Sequence, residues 1–222
     1  MSKVVHPFAH RLGILCDWRH RWFADGPQYV QNLKGDILLR EFLLHELRGM
    51  YVGGLEIERS KNLRVVIKTS RPGMLIGKQG EGSSKLRQSI ADFLKSKKLP
   101  VPEIKLDIEE IRSPESNAAI VAWMVAESLE KRMPFRRVLK QTIEKVMANR
   151  DVKGVRIAVA GMLGTGSMSR TEELKKGRIP LQTFRSDIDF ARERANLPLG
   201  VIGIKVWIYK GEVFAGEKEK SK

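Results

Sequence analysis

The sequence predicts an α+β protein built as two domains. Three observations carry that expectation. Segments with helical and strand periodicity follow one another as helix-strand-strand-helix-strand, then as helix-helix and about four strands. Apolar residues in the strand segments alternate with charged ones, as in sheets with one face toward a core. Ser113-Pro114 interrupts the pattern midway, where serine and proline suit a helix cap and first turn. At 222 residues the chain can bury one large core or two smaller ones.

Residues 1–16 read as an irregular arm, punctuated by Pro7 and Gly13, with Lys3 and Arg11 among apolar neighbours. The first domain is expected over 17–111. A helix from about Tyr29 to Arg48 carries Leu38, Leu39, Phe42, Leu43 and Leu47 at three-to-four spacing, and Gly49 marks its end. Two strands follow, with Leu55 and Ile57 and then Leu63, Val65 and Ile67 as their apolar positions. A glycine-bounded loop, Arg71 to Gly80, leads into a helix with Leu86, Ile90, Phe93 and Leu94 on one face. Pro100 and Pro102 end that helix before a third strand with Ile104, Leu106 and Ile108.

The second domain is expected over 112–212, with two helices packed on a four-stranded sheet. Its first helix, from Ser113-Pro114 to about Arg132, is apolar nearly all round and should be buried. The second runs from Phe135 to about Arg150. The strands are marked by Val155/Ile157/Val159, by a polar segment from Arg170 to Lys175, by Phe184/Ile188/Phe190 and by Ile202/Ile204/Val206/Ile208. Residues 213–222 read as a charged, disordered tail. Helices can cover one face of each sheet and leave the other free for a partner.

Lysine and arginine number 41 against 26 acids, a net charge of +15, while hydrophobic residues reach an ordinary globular 42 %. A folded protein with a large cationic excess points first to nucleic acid and second to an anionic membrane. Cys16 is the single cysteine, so no intrachain disulfide forms and a reducing compartment fits best. Met1 to His10 lacks the apolar core of a signal peptide, and the uncharged, mostly apolar stretch Asn117 to Ala126 is half a membrane span. A soluble intracellular protein, acting on no small-molecule substrate and holding no cofactor or metal, is expected. Membrane binding is disfavoured because no helix joins a basic face to large exposed apolar residues.

The charge is uneven. Between Arg59 and Lys98 eleven cations face only Glu81 and Asp92, a net of +9 in forty residues. A lysine-rich helix end such as Lys95 to Lys98 can simply be solvated, but that does not explain why cations flank a glycine loop. In Gly77-Lys78-Gln79-Gly80 two glycines let the backbone approach a sugar-phosphate chain, the following helix offers free amides, and Lys78 adds a mobile charge. A KH module clamps about four nucleotides with this arrangement. A bare glycine-x-x-glycine is common, and its bland reading is a tight turn. Met74-Leu75-Ile76 ahead of it and the surrounding element order, with a helix before the first strand, specify the prokaryotic, type II form. Arg71, Gly77, Lys78, Gln79, Gly80 and Lys85 are the candidate RNA-binding residues of this loop. A nucleotide-hydrolysing loop is excluded: three residues, not four, separate Gly73 from Gly77, and Gln79 stands where Ser or Thr is needed. Gly164-Thr165-Gly166 likewise lacks a third glycine, with Ser169 in its place.

In the helix after Pro134, residues Phe135, Val138, Leu139, Ile143, Val146 and Met147 form the apolar stripe. Arg136, Arg137 and Lys140 fall within roughly a 100° arc beside it. They are either an RNA-contacting row or solubility charge, with Glu144 placed to pair with Lys140. Two catalytic or metal readings are weaker. Asp187 and Asp189 share a strand face and could hold magnesium with Glu172 or Glu173, but Arg185 on the same face favours ion pairing. His6, His10, Cys16 and His20 fit no zinc-module spacing. A free RNA-binding regulator carrying a KH domain is the remaining alternative.

Taken in order, the motifs resemble those of the universal ribosomal protein S-three family of bacterial small subunits. They are Val5-His6-Pro7, Arg11-Leu12-Gly13, Trp22-Phe23, Arg71-Pro72-Gly73 with the glycine loop, Phe135-Arg136-Arg137, the run Gly177 to Leu181, the run Thr183 to Phe190, and the run Gly200 to Ile208. The resemblance implies a type II KH domain joined to an α/β carboxy-terminal domain in the head of the small subunit, bound to 16S-type ribosomal RNA. It implies the tenth and fourteenth small-subunit proteins as neighbours. It also implies a messenger-channel entrance lined by Arg136, Arg137 and Lys140, and ribosomal RNA near His6, Arg11, Arg178 and Arg185. The chain departs from the family at Phe8-Ala9, usually Asn-Gly, at Met162, usually arginine, and across Gly164 to Ser169.

Overall fold

The computed structural model describes residues 5–164 and 168–214. Residues 215–222 of the expected tail, Lys3, and the centre of the Gly164 to Ser169 segment lie outside the described residues. The chain divides into two compact units: residues 18–112, and residues 5–17 together with 113–214.

In the first unit, β2 (Val52–Arg59) and β3 (Leu63–Thr69) pair antiparallel with Ile57 opposite Val65 and Leu55 opposite Ile67. β3 then pairs parallel with β4 (Ile104–Glu110), with Val65 opposite Leu106. Parallel neighbours need a crossover, which α3 (Pro72–Ile76) and α4 (Glu81–Ser96) supply. A two-residue strand, β1 (His20–Arg21), adds to the outer edge of β2, giving the order β1-β2-β3-β4. It is too short to leave a periodic signal.

Leu39 and Leu43 of α2 (Gly26–Glu46), with Leu86, Ile90 and Leu94 of α4, close on Leu55, Ile57, Val65 and Ile67 of the sheet. The helix α2 begins three residues before the expected Tyr29, because Pro27 suits a first turn. Gly49, at φ +91°, follows its end. The segment expected as one loop from Arg71 to Gly80 instead holds α3 and a 3₁₀ turn over Lys78–Gly80. Pro72 starts α3, Leu75 anchors it in the core, and Gly77 at φ +69° ends it.

The second unit has a sheet of order β6-β5-β8-β7, antiparallel throughout, formed by β5 (Gly154–Gly161), β6 (Arg170–Gly177), β7 (Ser186–Leu197) and β8 (Gly200–Glu212). Two helices, α5 (Ala118–Glu130) and α6 (Phe135–Ala148), pack on one face. α5 contributes Val121, Ala122, Val125 and Ala126 to the core, as its all-apolar sequence requires, and α6 contributes Val138, Leu139, Ile143 and Val146. α5 does not start at Ser113-Pro114. That pair opens a 3₁₀ turn, and Asn117 is the cap, its Oδ1 accepting from the amides of Ala119 (3.0 Å) and Ile120 (3.3 Å).

The opposite face of this sheet is not left open. Ile188, Trp207 and Tyr209 are buried there, with Ile179, Leu181 and Phe190 packed against them. The arm belongs to this cover rather than being irregular. Residues Pro7–Arg11 form a short helix, α1, which packs against β7.

Candidate nucleic-acid interface

The glycine loop is built on backbone conformations that only small or tolerant residues hold. Gly77 and Gly80 have φ of +69° and +81°, and Gln79 between them takes +51°. Gly82, which the glycine-x-x-glycine spacing does not single out, matters as much. A Cβ there would collide with the Leu75 carbonyl, so α4 can cross the end of α3 only because position 82 is bare. Ser83 Oγ donates to the Gly80 carbonyl at 2.8 Å and fixes the loop from the helix side. Lys78 and Gln79 are exposed at its tip. Lys85 pairs loosely with Glu81 at 3.5 Å, and Arg71 lies 4.3 Å over the Tyr51 ring while remaining exposed.

Pairing redistributes the +9 of the Arg59–Lys98 window. Arg59 bonds Asp36 at 2.6 Å, and both side chains are nearly buried; Trp22 Nε1 donates to the other Asp36 oxygen at 2.6 Å. Arg64 meets Asp107 at 2.5 Å and Glu58 at 3.1 Å, and Lys68 meets Glu56 at 2.7 Å and Glu109 at 3.6 Å. These acids stand outside the window: strand pairing carries those of β2 and β4 to Arg64 and Lys68 of β3, and the packing of α2 carries Asp36 to Arg59 of β2. The charge of the sheet is thus largely cancelled. Among the described residues, the cations left without an acid partner include Lys78 in the loop and Arg87, Lys97 and Lys98 on or after α4. The excess therefore concentrates around the glycine loop and its helix.

On α6, the buried stripe leaves Arg136, Arg137 and Lys140 exposed on one side. Arg136 reaches Glu172 of β6 at 3.5 Å. Among the described residues Arg137 and Lys140 have no acid partner, and the pairing of Lys140 with Glu144 that the spacing allows does not form. Sequence reasoning misses Arg170. It stands on the edge strand β6, its guanidinium 5.6 Å from the Phe135 ring and 3.5 Å from Glu172. No linear spacing signals it, since β6 and α6 meet only in the fold.

The residues expected near ribosomal RNA separate into two kinds. Arg11 is not available for contact. Its side chain is fully buried, with Nε donating to Ser186 O (2.6 Å), Nη1 to Pro7 O (3.0 Å) and Nη2 to Leu181 O (2.9 Å) and Thr183 O (3.0 Å). Burial lowers its pKa, with Cys16 and Asp187 acting the other way. The guanidinium fork is a staple that holds the 181–186 segment. Arg178, by contrast, is exposed. A Cβ on Gly154 would collide with the Arg178 carbonyl, so the bare glycine lets the chain pass there. Arg185 is exposed but bonds Glu212 at 2.6 Å and lies 5.7 Å from the Phe214 ring centroid. The exposed His6 sets its ring edge-on to Phe190 at 4.8 Å.

The acids and histidines of the arm and β7 have other tasks. Asp189 Oδ2 accepts from the first amide of α5, Ala118 N, at 2.8 Å. Burial raises the pKa of Asp187, opposed by Lys210, reinforced by Asp189 and opposed again by Arg11. Glu172 and Glu173 pair with arginines. His10 packs tilted against the Phe184 ring, centroids 4.2 Å apart. Among the described residues no three His, Cys, Asp or Glu side chains converge as a metal site, and no helix is long and apolar enough to cross a membrane.

Two family models match the chain, a KH domain over residues 38–116 and the C-terminal domain of ribosomal protein S3 over residues 125–208. The small ribosomal subunit protein uS3 of Pseudomonas fluorescens (strain Pf0-1) is 43 % identical over 223 residues, covering 100 % of this chain and 95 % of its own. The chain belongs to the ribosomal protein S3 family. The uS3 proteins of Pseudomonas syringae pv. tomato and Pseudomonas aeruginosa (strain UCBPP-PA14) match with the same identity and coverage. As a member of the S3 family, the chain is a structural and non-enzymatic protein. It joins a type II KH domain to a C-terminal α+β domain.

Proposed function

We propose that this S3-family member, as an RNA-binding structural component of the small ribosomal subunit in the cytoplasm, positions ribosomal RNA and presents α6 to incoming messenger. The observation that carries the second part is the row Arg136, Arg137 and Lys140. It is exposed on a helix whose other face is locked in the core, with two of its three charges unspent on protein partners. A rigid helix holds such charges at fixed spacing, so phosphates passing along it meet the same geometry at each step.

Ribosomal RNA is assigned to the cations around the glycine loop (Arg71, Lys78, Lys85) and to His6, Arg178 and Arg185 of the second unit. Arg11 acts through the segment it staples, without touching RNA. The tenth and fourteenth small-subunit proteins are the proposed neighbours in the head. Phosphate contacts fix orientation and carry no sequence information, which suits a protein that must hold one RNA in place and let another pass.

Sedimentation with small subunits tests the assignment. The protein is expected to travel with them at moderate salt; a chain that stays in the free fraction is instead a KH-bearing regulator. Lys78→Asp with Gln79→Asp reverses the charge of the loop tip and is expected to lower occupancy of the subunit.

A further inference from the structure

We infer that Arg170 is a fourth cation of the α6 surface and that Glu172 holds Arg136 and Arg170 in place until an RNA phosphate displaces it. The inference rests on the proposal that α6 contacts RNA, and it names two residues that proposal does not use. One carboxylate oxygen, Glu172 Oε1, lies 3.5 Å from Arg136 Nη2 and 3.5 Å from Arg170 Nε. Both guanidinium carbons lie 5.6 Å from the centroid of the Phe135 ring, which is packed against the core of the unit. Phe135 is thus a shared platform for two arginines that come from different elements.

The geometry is that of an exchangeable pair rather than a brace. Each contact is long and made through a single nitrogen, and the two arginine side chains are 71 % and 52 % exposed while Glu172 is 29 % exposed. Exposed pairs of this kind add little to stability. An RNA phosphate offers two free oxygens in place of the one that the arginines now share, and each guanidinium can meet it through a fork of two N–H groups. Glu172 keeps the two cations pointed at one spot meanwhile, with the Leu163 carbonyl accepting from Arg170 Nη2 at 3.4 Å. Its removal frees them and takes away a negative charge that the RNA must otherwise approach.

The full-length chain can be titrated with a labelled single-stranded oligouridylate across a range of salt, natively and with the loop silenced by Lys78→Asp/Gln79→Asp. Glu172→Gln is expected to tighten binding roughly two- to fivefold. Arg170→Ala is expected to weaken it and to lower the slope of log affinity against log salt by about one, and Arg170→Lys to keep that slope. Urea unfolding of each variant separates these effects from loss of fold. If Glu172→Gln binds no tighter, or Arg170→Ala leaves the salt slope unchanged, the inference is wrong. The triple variant Arg136→Ala/Arg137→Ala/Lys140→Ala separates the two levels. If it weakens binding while Glu172→Gln does nothing, the inference falls and the RNA reading of α6 stands; if it binds as the native chain does, the RNA reading of α6 falls with it.

Discussion

Arg11 sits among its sequence neighbours as one more cation of a basic arm, and only the fold gives it four carbonyl partners, three of them 170 to 175 residues away and one a single turn back. Arg11→Met would remove the side-chain donor that ties the Leu181, Thr183 and Ser186 carbonyls to the arm, with Thr183 keeping only the Ser186 amide at 3.2 Å, and the expected loss of stability is about 3 kcal/mol. Arg11→Lys, a point charge without the fork, should recover only part of it. Urea unfolding measures both; a loss within the scatter of surface variants would contradict the staple. His20 gives a pH signature. Burial holds its imidazole below the ordinary range, Asp36 acts against this, and Arg40 and Arg19 add to the lowering. The folded chain then binds the proton less readily than the unfolded chain. Stability is therefore full above the unfolded value of about 6.5 and falls as pH drops through it. Comparing His20→Gln with the native chain between about pH 7.5 and 5.5 should show a shallower decline in the variant.

Elements were legible in the sequence where periodicity was strong and unclear where partners lie far along the chain. The stripe of α6, the alternation in β2 through β4 and the buried character of α5 all follow from residue order, because each face is set by local repeat. The start of α5 does not, since Ser113-Pro114 and Asn117 are both competent caps and only the latter lies at the helix that packs. The loop around Lys78 was legible as a nucleic-acid motif but not as a helix followed by a 3₁₀ turn. Its dependence on Gly82 is a matter of clearance between two helices. Gly82→Ala places a methyl group against the Leu75 carbonyl and about 3 Å from Ile76. It should cost about 1–3 kcal/mol and weaken RNA binding through the loop, while Gly73→Ala, with open space around its Cβ, should leave the packing of α4 unchanged.

Over the whole molecule, the net charge of +15 divides once the fold is known. Counting along the chain placed nine units in one window. Strand pairing then sets Arg64 and Lys68 against acids of β2 and β4, and the packing of α2 buries Arg59 with Asp36. Among the described residues, the cations of that window left without an acid partner lie mostly at the glycine loop and α4, and a second set stands along α6, one surface on each unit. Arg170 joins the second surface only through the contact of β6 with α6, so residue order could not disclose it. This division fits the proposed role, in which one surface holds ribosomal RNA and the other meets messenger. The most direct test uses small subunits assembled with Arg136→Ala/Arg137→Ala/Lys140→Ala and follows translation of a messenger carrying a stable hairpin beside an unstructured control. The account predicts normal assembly, an unchanged rate on the control and slower passage through the hairpin. Equal rates on both messengers, with the variant fully incorporated, would contradict it.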